Sequence, residues 1–395
     1  MKFSQRLMRL KPSATRAMAD RAAKLKAEGR KVISFTTGEP DFPSPPAAIE
    51  YARKALDENK IRYTTTSGTS ELKAAIIKYY QERHGLAYSP DEIIVSAGAK
   101  SVLYEALGAL VDSGDEVIVP TPAWVSYVEQ VDAFDGKAVL VDTSNNGFMP
   151  RIEDVENALT AKTVAIMLNT PHNPTGVIYD RVFMRDLCRL ALQRNFIIIN
   201  DEIYERLTYG QRYTNPLTDV PEARDVVLTV NGASKTYAMT GWRVGFALGP
   251  VKLINKINVL QGHITSSVCS VSQKAAVGAI LHAQDYVEDM VKEYARRRDF
   301  LCREIASMPH VSLTEPKGAF YAFLDLRPAI GKRYENEVIA DDNAFCELLL
   351  EHGLMALVPG TAFLAPGFAR LSYAVSMEEL RTGMDSLRAF LTALR

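Results

Sequence analysis

Four stretches of the chain carry residue types suited to chemistry, each directly after an apolar run. Val164 to Leu168 leads into Asn169-Thr170-Pro171-His172-Asn173-Pro174-Thr175-Gly176, a proline-rich turn that holds Asn173. Phe196 to Ile199 leads into Asn200-Asp201-Glu202-Ile203-Tyr204, which sets a carboxylate and a phenol three residues apart, on one side of any helical turn. After Val226 to Val230 comes Asn231-Gly232-Ala233-Ser234-Lys235, and eight residues further on stands Arg243, in Met239-Thr240-Gly241-Trp242-Arg243. The fourth stretch, Ser96-Ala97-Gly98-Ala99-Lys100-Ser101, is a small-residue turn that opens a helix.

A lysine in an apolar interior, with no acid next to it in sequence, has its ammonium form disfavoured by desolvation, and the free amine is a nucleophile for a carbonyl. An Asp at a neighbouring strand end suits a protonated ring nitrogen, a Tyr and an Asn suit a phenolic oxygen, and Ser and Arg suit a phosphate. The free amides and positive dipole end of a helix start suit that same phosphate. Together these are the parts of a pyridoxal-phosphate site. Taken singly, each residue has a plainer use. A Ser-Lys after a strand is commonly surface loop, an Asp there is commonly a helix N-cap, and an Arg beside Trp is often a stacked surface pair. The order of all of them along consecutive strand ends carries the reading.

Positioning such residues takes a sheet whose strand ends converge, because ligands of open α/β sheets sit outside the carboxyl ends of the strands. From about residue 88 to 250, short β-branched runs alternate with segments of helical period. The runs Glu92 to Val95, Glu116 to Val119, Ala138 to Val141, Val164 to Leu168, Phe196 to Ile199, Val226 to Val230 and Val244 to Leu248 predict seven strands. Arg181 to Arg194 has apolar residues at helical spacing. Runs apolar on both faces fit burial between two helix layers. The fold class is therefore α/β, a mostly parallel seven-stranded sheet with helices on both faces. Beyond it lie a long helix from about Tyr286 to Ile305, a strand-like Phe320 to Leu324, a helix near Asn343 to His352, a strand around Phe368 to Val375 and a closing helix from Met377. That is a smaller α+β domain. Acids at helical spacing around Arg296, Arg297 and Arg298 predict a solvated charged face. The first forty or so residues hold an amphipathic helix and the turn-rich Gly38-Glu39-Pro40-Asp41-Phe42-Pro43. The expected division is a large domain over residues 48–285 and a small domain formed by residues 1–47 with 286–395.

Composition narrows the function classes. The 395 residues balance 46 Lys and Arg against 47 Asp and Glu, with no basic face for a polyanion. Apolar runs reach about five residues, where a membrane span takes about twenty. Met1 to Arg6 is basic but no apolar core follows, so no secretory signal is expected and the cytoplasm is the expected compartment. Cys188, Cys269, Cys302 and Cys346 lie far apart without a CxxC pair, and are read as reduced core thiols. The six His residues form no HExxH, and no metal site is expected. Neither GxGxxG nor GxxxxGK[ST] is present, which argues against a dinucleotide oxidoreductase.

From Lys11-Pro12-Ser13-Ala14-Thr15 through Gly38-Glu39-Pro40-Asp41-Phe42 and Asn173-Pro174-Thr175-Gly176 to Ser234-Lys235 and Arg370-Leu371-Ser372-Tyr373, the chain resembles the class I aminotransferases of fold type I. Within them it looks most like the bacterial aspartate aminotransferase branch called subgroup one-gamma. The resemblance implies a fold type I transferase with pyridoxal 5'-phosphate as cofactor, with Lys235 forming the internal aldimine and then carrying the proton between substrate and cofactor. It implies Asp201 at the pyridine nitrogen, Tyr204 and Asn173 at the ring oxygen, and Trp124 stacked on the ring. Gly98, Ala99, Lys100, Ser234 and Arg243 would surround the phosphate end. Tyr63 would reach the phosphate of a neighbouring subunit, making the protein a homodimer. For the substrate, Arg370 and the Gly38 amide would take the α-carboxylate, beside Trp124 and Asn173, and Lys100 with Thr15 would meet a distal carboxylate.

The expected reaction is ping-pong amino transfer between aspartate or glutamate and a 2-oxo acid. Aromatic amino acids or prephenate, and a C–S β-lyase on the same scaffold, are the alternatives. A cofactor-sensing transcription regulator would carry an additional winged-helix domain before the match. His172 stands where many relatives have Asn, which leaves substrate preference more open.

Overall fold

The computed structural model describes residues 1–10 and 14–395, without the side chains of residues 14–16. Seven apolar runs become the strands β1 Ile93–Ser96, β2 Glu116–Thr121, β3 Lys137–Asp142, β4 Thr163–Asn169, β5 Ile197–Asp201, β6 Val227–Gly232 and β7 Gly245–Leu248. They form one sheet in the order β1-β7-β6-β5-β4-β2-β3. From β6 to β3 the pairs are parallel, and only β7 runs against its neighbours β1 and β6.

Side chains alternate between two cores, as the period of two along a strand requires. Val95, Ile118, Ile166, Ile198 and Leu248 enter one core, and Ile94, Val117, Ala165, Ile199 and Ala247 the other. The first core is closed by helices Ser70–His84, Arg181–Arg194 and Ser270–His282, and the second by Ala99–Leu110 and Val251–Ile264. Arg181–Arg194 starts where Asp180 accepts the Phe183 N–H and stops at Asn195 in the left-handed region.

A second, antiparallel sheet consists of β8 Ser312–Leu313, β9 Tyr321–Asp325, β10 Val358–Pro359 and β11 Phe368–Ser372, in the order β10-β11-β9-β8. The early strand Ile33–Ser34 pairs in parallel with Met355–Ala356, and the Ser372 N–H donates to Phe35 O. One core joins Met18, Ala22 and Phe35 to Tyr294, Phe345, Leu371 and Leu387. Helices Gln284–Ala306, Asp342–His352 and Met377–Ala393 pack around it. The last two begin at side-chain caps, Asp341 on the Ala344 N–H and a Ser376/Glu379 capping box.

Two expectations need correction. Arg297 and Arg298 are buried rather than solvated, because distant segments bring them counter-ions: Asp41 at 2.8 Å from Arg297, and Glu315 at 2.7 Å from Arg298. Only Arg296 stays exposed, paired with Glu293. Cys188 and Cys346 are core thiols, but Cys302 is half-buried and Cys269 exposed, since Cys269 precedes the first turn of its helix and misses the inward stripe. Among the described residues, no helix is long and apolar enough to cross a membrane.

Candidate active site

Parallel pairing brings the carboxyl ends of β4, β5 and β6 to one edge, with Asn169 paired to Asp201 and Asp201 to Val230. A cleft of about 250 Å³ opens there, between this edge and the second sheet.

Lys235 sits in the single helical turn Ala233–Thr236 after β6 and lines the cleft. Its ammonium donates to Gly38 O. Loss of hydration pushes its pKa down to about 8, against the pull of Glu39, so the free amine is accessible near neutral pH.

Asp201, the last residue of β5, is buried. Tyr127 Oη donates to Oδ2 at 2.7 Å and the Ile203 N–H to Oδ1 at 3.2 Å. Burial raises its pKa to about 6, and the Tyr127 bond holds it from going further. A cation beside it would restore the carboxylate.

Arg370, on β11, is 3% exposed. Its Nη1 donates to Asn173 Oδ1 at 3.0 Å and its Nη2 to Thr36 O at 2.8 Å, while Nε has no partner. The guanidinium lies between the rings of Tyr321 and Phe363, 4.6 and 4.9 Å from their centres. Among the described residues, no carboxylate forms an ion pair with it. Burial lowers its pKa. Asn173 is itself held by its N–H on Asn169 Oδ1 at 2.7 Å. A buried charge without a counter-ion is costly, so this wall is built for an anion that arrives from outside.

At the other end of the cleft, helix Ala99–Leu110 begins after Gly98, whose φ of 94° suits glycine. Arg243 lies across that start, with Nη2 on Ala97 O at 3.1 Å and Nη1 on Thr240 O at 2.9 Å. A Cβ on Gly98 would stand 2.3 Å from Arg243 Nη2. Ser234 joins them in the lining. Lys100 Nζ is 4.6 Å from the Trp124 ring centre, and its pKa is lowered by burial and then by Arg243.

The structure thus brings Lys235, Asp201, Tyr204, Asn173, Ser234, Arg243, Ala99, Lys100, Trp124, Gly38 and Arg370 to one cleft. Gly98 lies just behind it. Tyr63 does not reach it and is 91% exposed. The side chain of Thr15 and the Lys11–Ser13 motif lie outside the described residues. His172 stands behind the wall, a buried neutral imidazole with Nδ1 2.7 Å from Thr175 Oγ1, its pKa lowered to about 3 by burial.

Sequence reasoning missed Thr36, Asn169, Tyr127 and Tyr321. Tyr127 had a signal, since it follows Trp124 by three residues. The two rings meet edge to face with centroids 5.5 Å apart. Tyr321 and Thr36 had none, because only strand pairing brings them in.

The lining fits pyridoxal phosphate part by part: a carbonyl-reactive amine, a buried carboxylate opposite it, a phenol and an amide, an indole face, and a helix start with a serine and an arginine. The family description aminotransferase class I and II matches residues 30–387. The chain belongs to this family. Class I and II aminotransferases depend on pyridoxal phosphate, and this aminotransferase is a fold type I enzyme of that kind.

Its similarity to individual members spans the chain. It is 41% identical to the aspartate aminotransferase of Thermotoga maritima over 99% of both chains. It is 39% identical to the aspartate/prephenate aminotransferase of Cereibacter sphaeroides, again over 99% of both. The crystal structure of the Rhizobium meliloti aspartate aminotransferase superposes with a TM-score of 0.97, at 38% identity and with all of both chains covered.

Proposed function

We propose that this aminotransferase moves an amino group between an acidic amino acid, aspartate or glutamate, and a 2-oxo acid, by a ping-pong exchange. The observation that carries this reading is Arg370, a buried cation that no acid among the described residues pairs with and that faces the same cleft as the Lys235 amine. A substrate whose α-carboxylate meets Arg370 presents its amino group toward Lys235. Lys100, at the cleft mouth over Trp124, supplies a second cation for a distal carboxylate. The names of relatives about 40% identical over nearly the whole chain support the same substrates.

Pyridoxal phosphate supplies, when bound, a carbonyl that accepts the amino group and a ring that spreads the charge left at the substrate Cα. Lys235 Nζ would be the base that takes and holds the proton from the substrate Cα. Asp201, kept in place by Tyr127, would hold positive charge at the ring nitrogen. Tyr204 and Asn173 would donate hydrogen bonds toward the ring oxygen, and Trp124 would cover one ring face. The Ala99 amide at the helix start, with Ser234 and Arg243, would hold the phosphate, while Gly98 behind it gives its own N–H to Ser96 O at 2.7 Å.

The exposed Tyr63 supports a homodimer in which it completes the neighbouring site. The shared core of the two chain ends supports a small domain of residues 1–47 and 286–395 against a large one of 48–285. Four unpaired cysteines and the lack of a membrane helix among the described residues support a cytoplasmic setting.

The deciding experiment mixes the loaded enzyme with aspartate and no oxo acid. One equivalent of oxaloacetate per active site, followed by full turnover once 2-oxoglutarate is added, is the expected result. Steady release of pyruvate and ammonia would mean elimination instead.

A further inference from the structure

β9 and β11 pair so that Phe323 stands opposite Arg370. Residues two apart on a strand share a face, which puts Tyr321 diagonally beside Arg370. Tyr321 is 1% exposed, its ring centre is 4.6 Å from the guanidinium carbon, and its hydroxyl is 2.8 Å from Tyr204 Oη. It lines the cleft, and a Cβ on Gly38 would lie 3.0 Å from its oxygen. One side chain therefore touches the carboxylate wall, the Gly38 segment and the phenol that faces the cofactor.

Each hydroxyl has one hydrogen to give. A Tyr204 that donates to a ring oxygen in the cleft has none left for Tyr321, so the hydrogen between the two oxygens belongs to Tyr321. In such a chain the first bond strengthens the second. The charged and titratable groups acting on the pair are Arg370, Asp201 and Tyr127, and Lys235 lines the same cleft with Glu39 acting on it. Burial holds both phenols above their ordinary range, so they act as neutral donors.

We infer that Tyr321 is a positioning residue of this reaction: its hydroxyl aims and strengthens the Tyr204 hydrogen bond to the cofactor ring oxygen, while its ring seats Arg370. The inference rests on the reading of Tyr204 given under Proposed function.

The test is a pH titration of the absorbance of the bound cofactor in wild type, Tyr321→Phe, Tyr204→Phe and the double variant. Tyr321→Phe keeps the ring over Arg370 and removes only the hydroxyl. With a weaker Tyr204 bond, the ring oxygen holds the proton that it shares with the Lys235 nitrogen more tightly. The midpoint should rise by about half a pH unit in Tyr321→Phe, and by more in Tyr204→Phe. Tyr321→Phe should add little in the Tyr204→Phe background, and the KM for the amino acid should change less than about twofold because the ring stays on Arg370. A midpoint unmoved in Tyr321→Phe but raised in Tyr204→Phe overturns the inference and leaves the Tyr204 reading standing. No movement in either variant overturns both. Loss of cofactor from Tyr321→Phe also overturns the inference, since a positioning role leaves the phosphate end intact.

Discussion

Arg370 Nη1 donates a 3.0 Å hydrogen bond to Asn173 Oδ1, tying β11 to the turn after β4. The bond orients a guanidinium that no carboxylate of the described residues neutralises. Asn173→Ala frees one arm of the fork and removes a donor to the ring oxygen. The expected loss in kcat/KM is about tenfold or more, with a raised KM for the amino acid. Steady-state kinetics with aspartate check it, and an unchanged KM would confine Asn173 to the cofactor.

Lys235→Ala should abolish transamination, because the amine that Gly38 O holds in the cleft is removed. Circular dichroism and the apoenzyme melting temperature should stay near wild type, since the side chain lines a cavity rather than filling the core. Turnover at the wild-type rate would refute the assignment.

Lys100→Ala should act selectively. A charge-assisted contact contributes about 1.5–3 kcal/mol, so kcat/KM for aspartate and glutamate should fall about tenfold to a hundredfold while alanine or phenylalanine is affected less. Parallel assays of the four donors decide. An equal loss for all would tie Lys100 to the cofactor or the fold.

Glu202 makes the melting temperature depend on pH. Its carboxyl is buried, with Tyr80 at 2.5 Å, Tyr213 at 2.7 Å and Asn215 at 3.0 Å. Burial, and then Glu205, raise its pKa from 4.5 to about 8. The native state therefore binds this proton more tightly than the unfolded chain, and stability falls as pH rises from about 4.5 to 8. Asp201 and Glu105, raised by burial to about 6 and about 7, act in the same direction. Glu205 is lowered by Arg83 and His84 despite its burial, so its effect lies at more acid pH. His84 and His172, lowered by burial to about 4 and about 3, act the opposite way below about pH 6.5. Above that pH and up to 8, thermal melts of apo Glu202→Gln should therefore show a smaller drop than wild type. An identical drop would remove Glu202 from the account.

Local pattern was enough for the seven central strands, whose apolar runs need only burial on both faces, and for the residues at their ends, which the parallel direction gathers without further information. It was not enough where partners are far apart in sequence. Arg297 reads as a solvated charge beside Glu293 until Asp41, 256 residues earlier, closes on it. Tyr321 reads only as part of the strand-like run Phe320 to Leu324 until the β9–β11 register places it next to Arg370 and its hydroxyl on Tyr204. The order of residues tells which strand end holds a group, while register between distant strands decides which groups touch.

Among the described residues the Ile33–Ser34 strand pairs only with Met355–Ala356, and Arg370 reaches back to Thr36 O. A ribosome makes residues 33–38 long before residues 355–372. The strands that carry Asp201 and lead into Lys235 are all made by residue 232, whereas the wall that receives a carboxylate needs β11 as well. Selectivity for the amino acid thus rests on contact between the two ends of the chain, whereas the strand ends that carry Asp201 and lead into Lys235 lie in its middle.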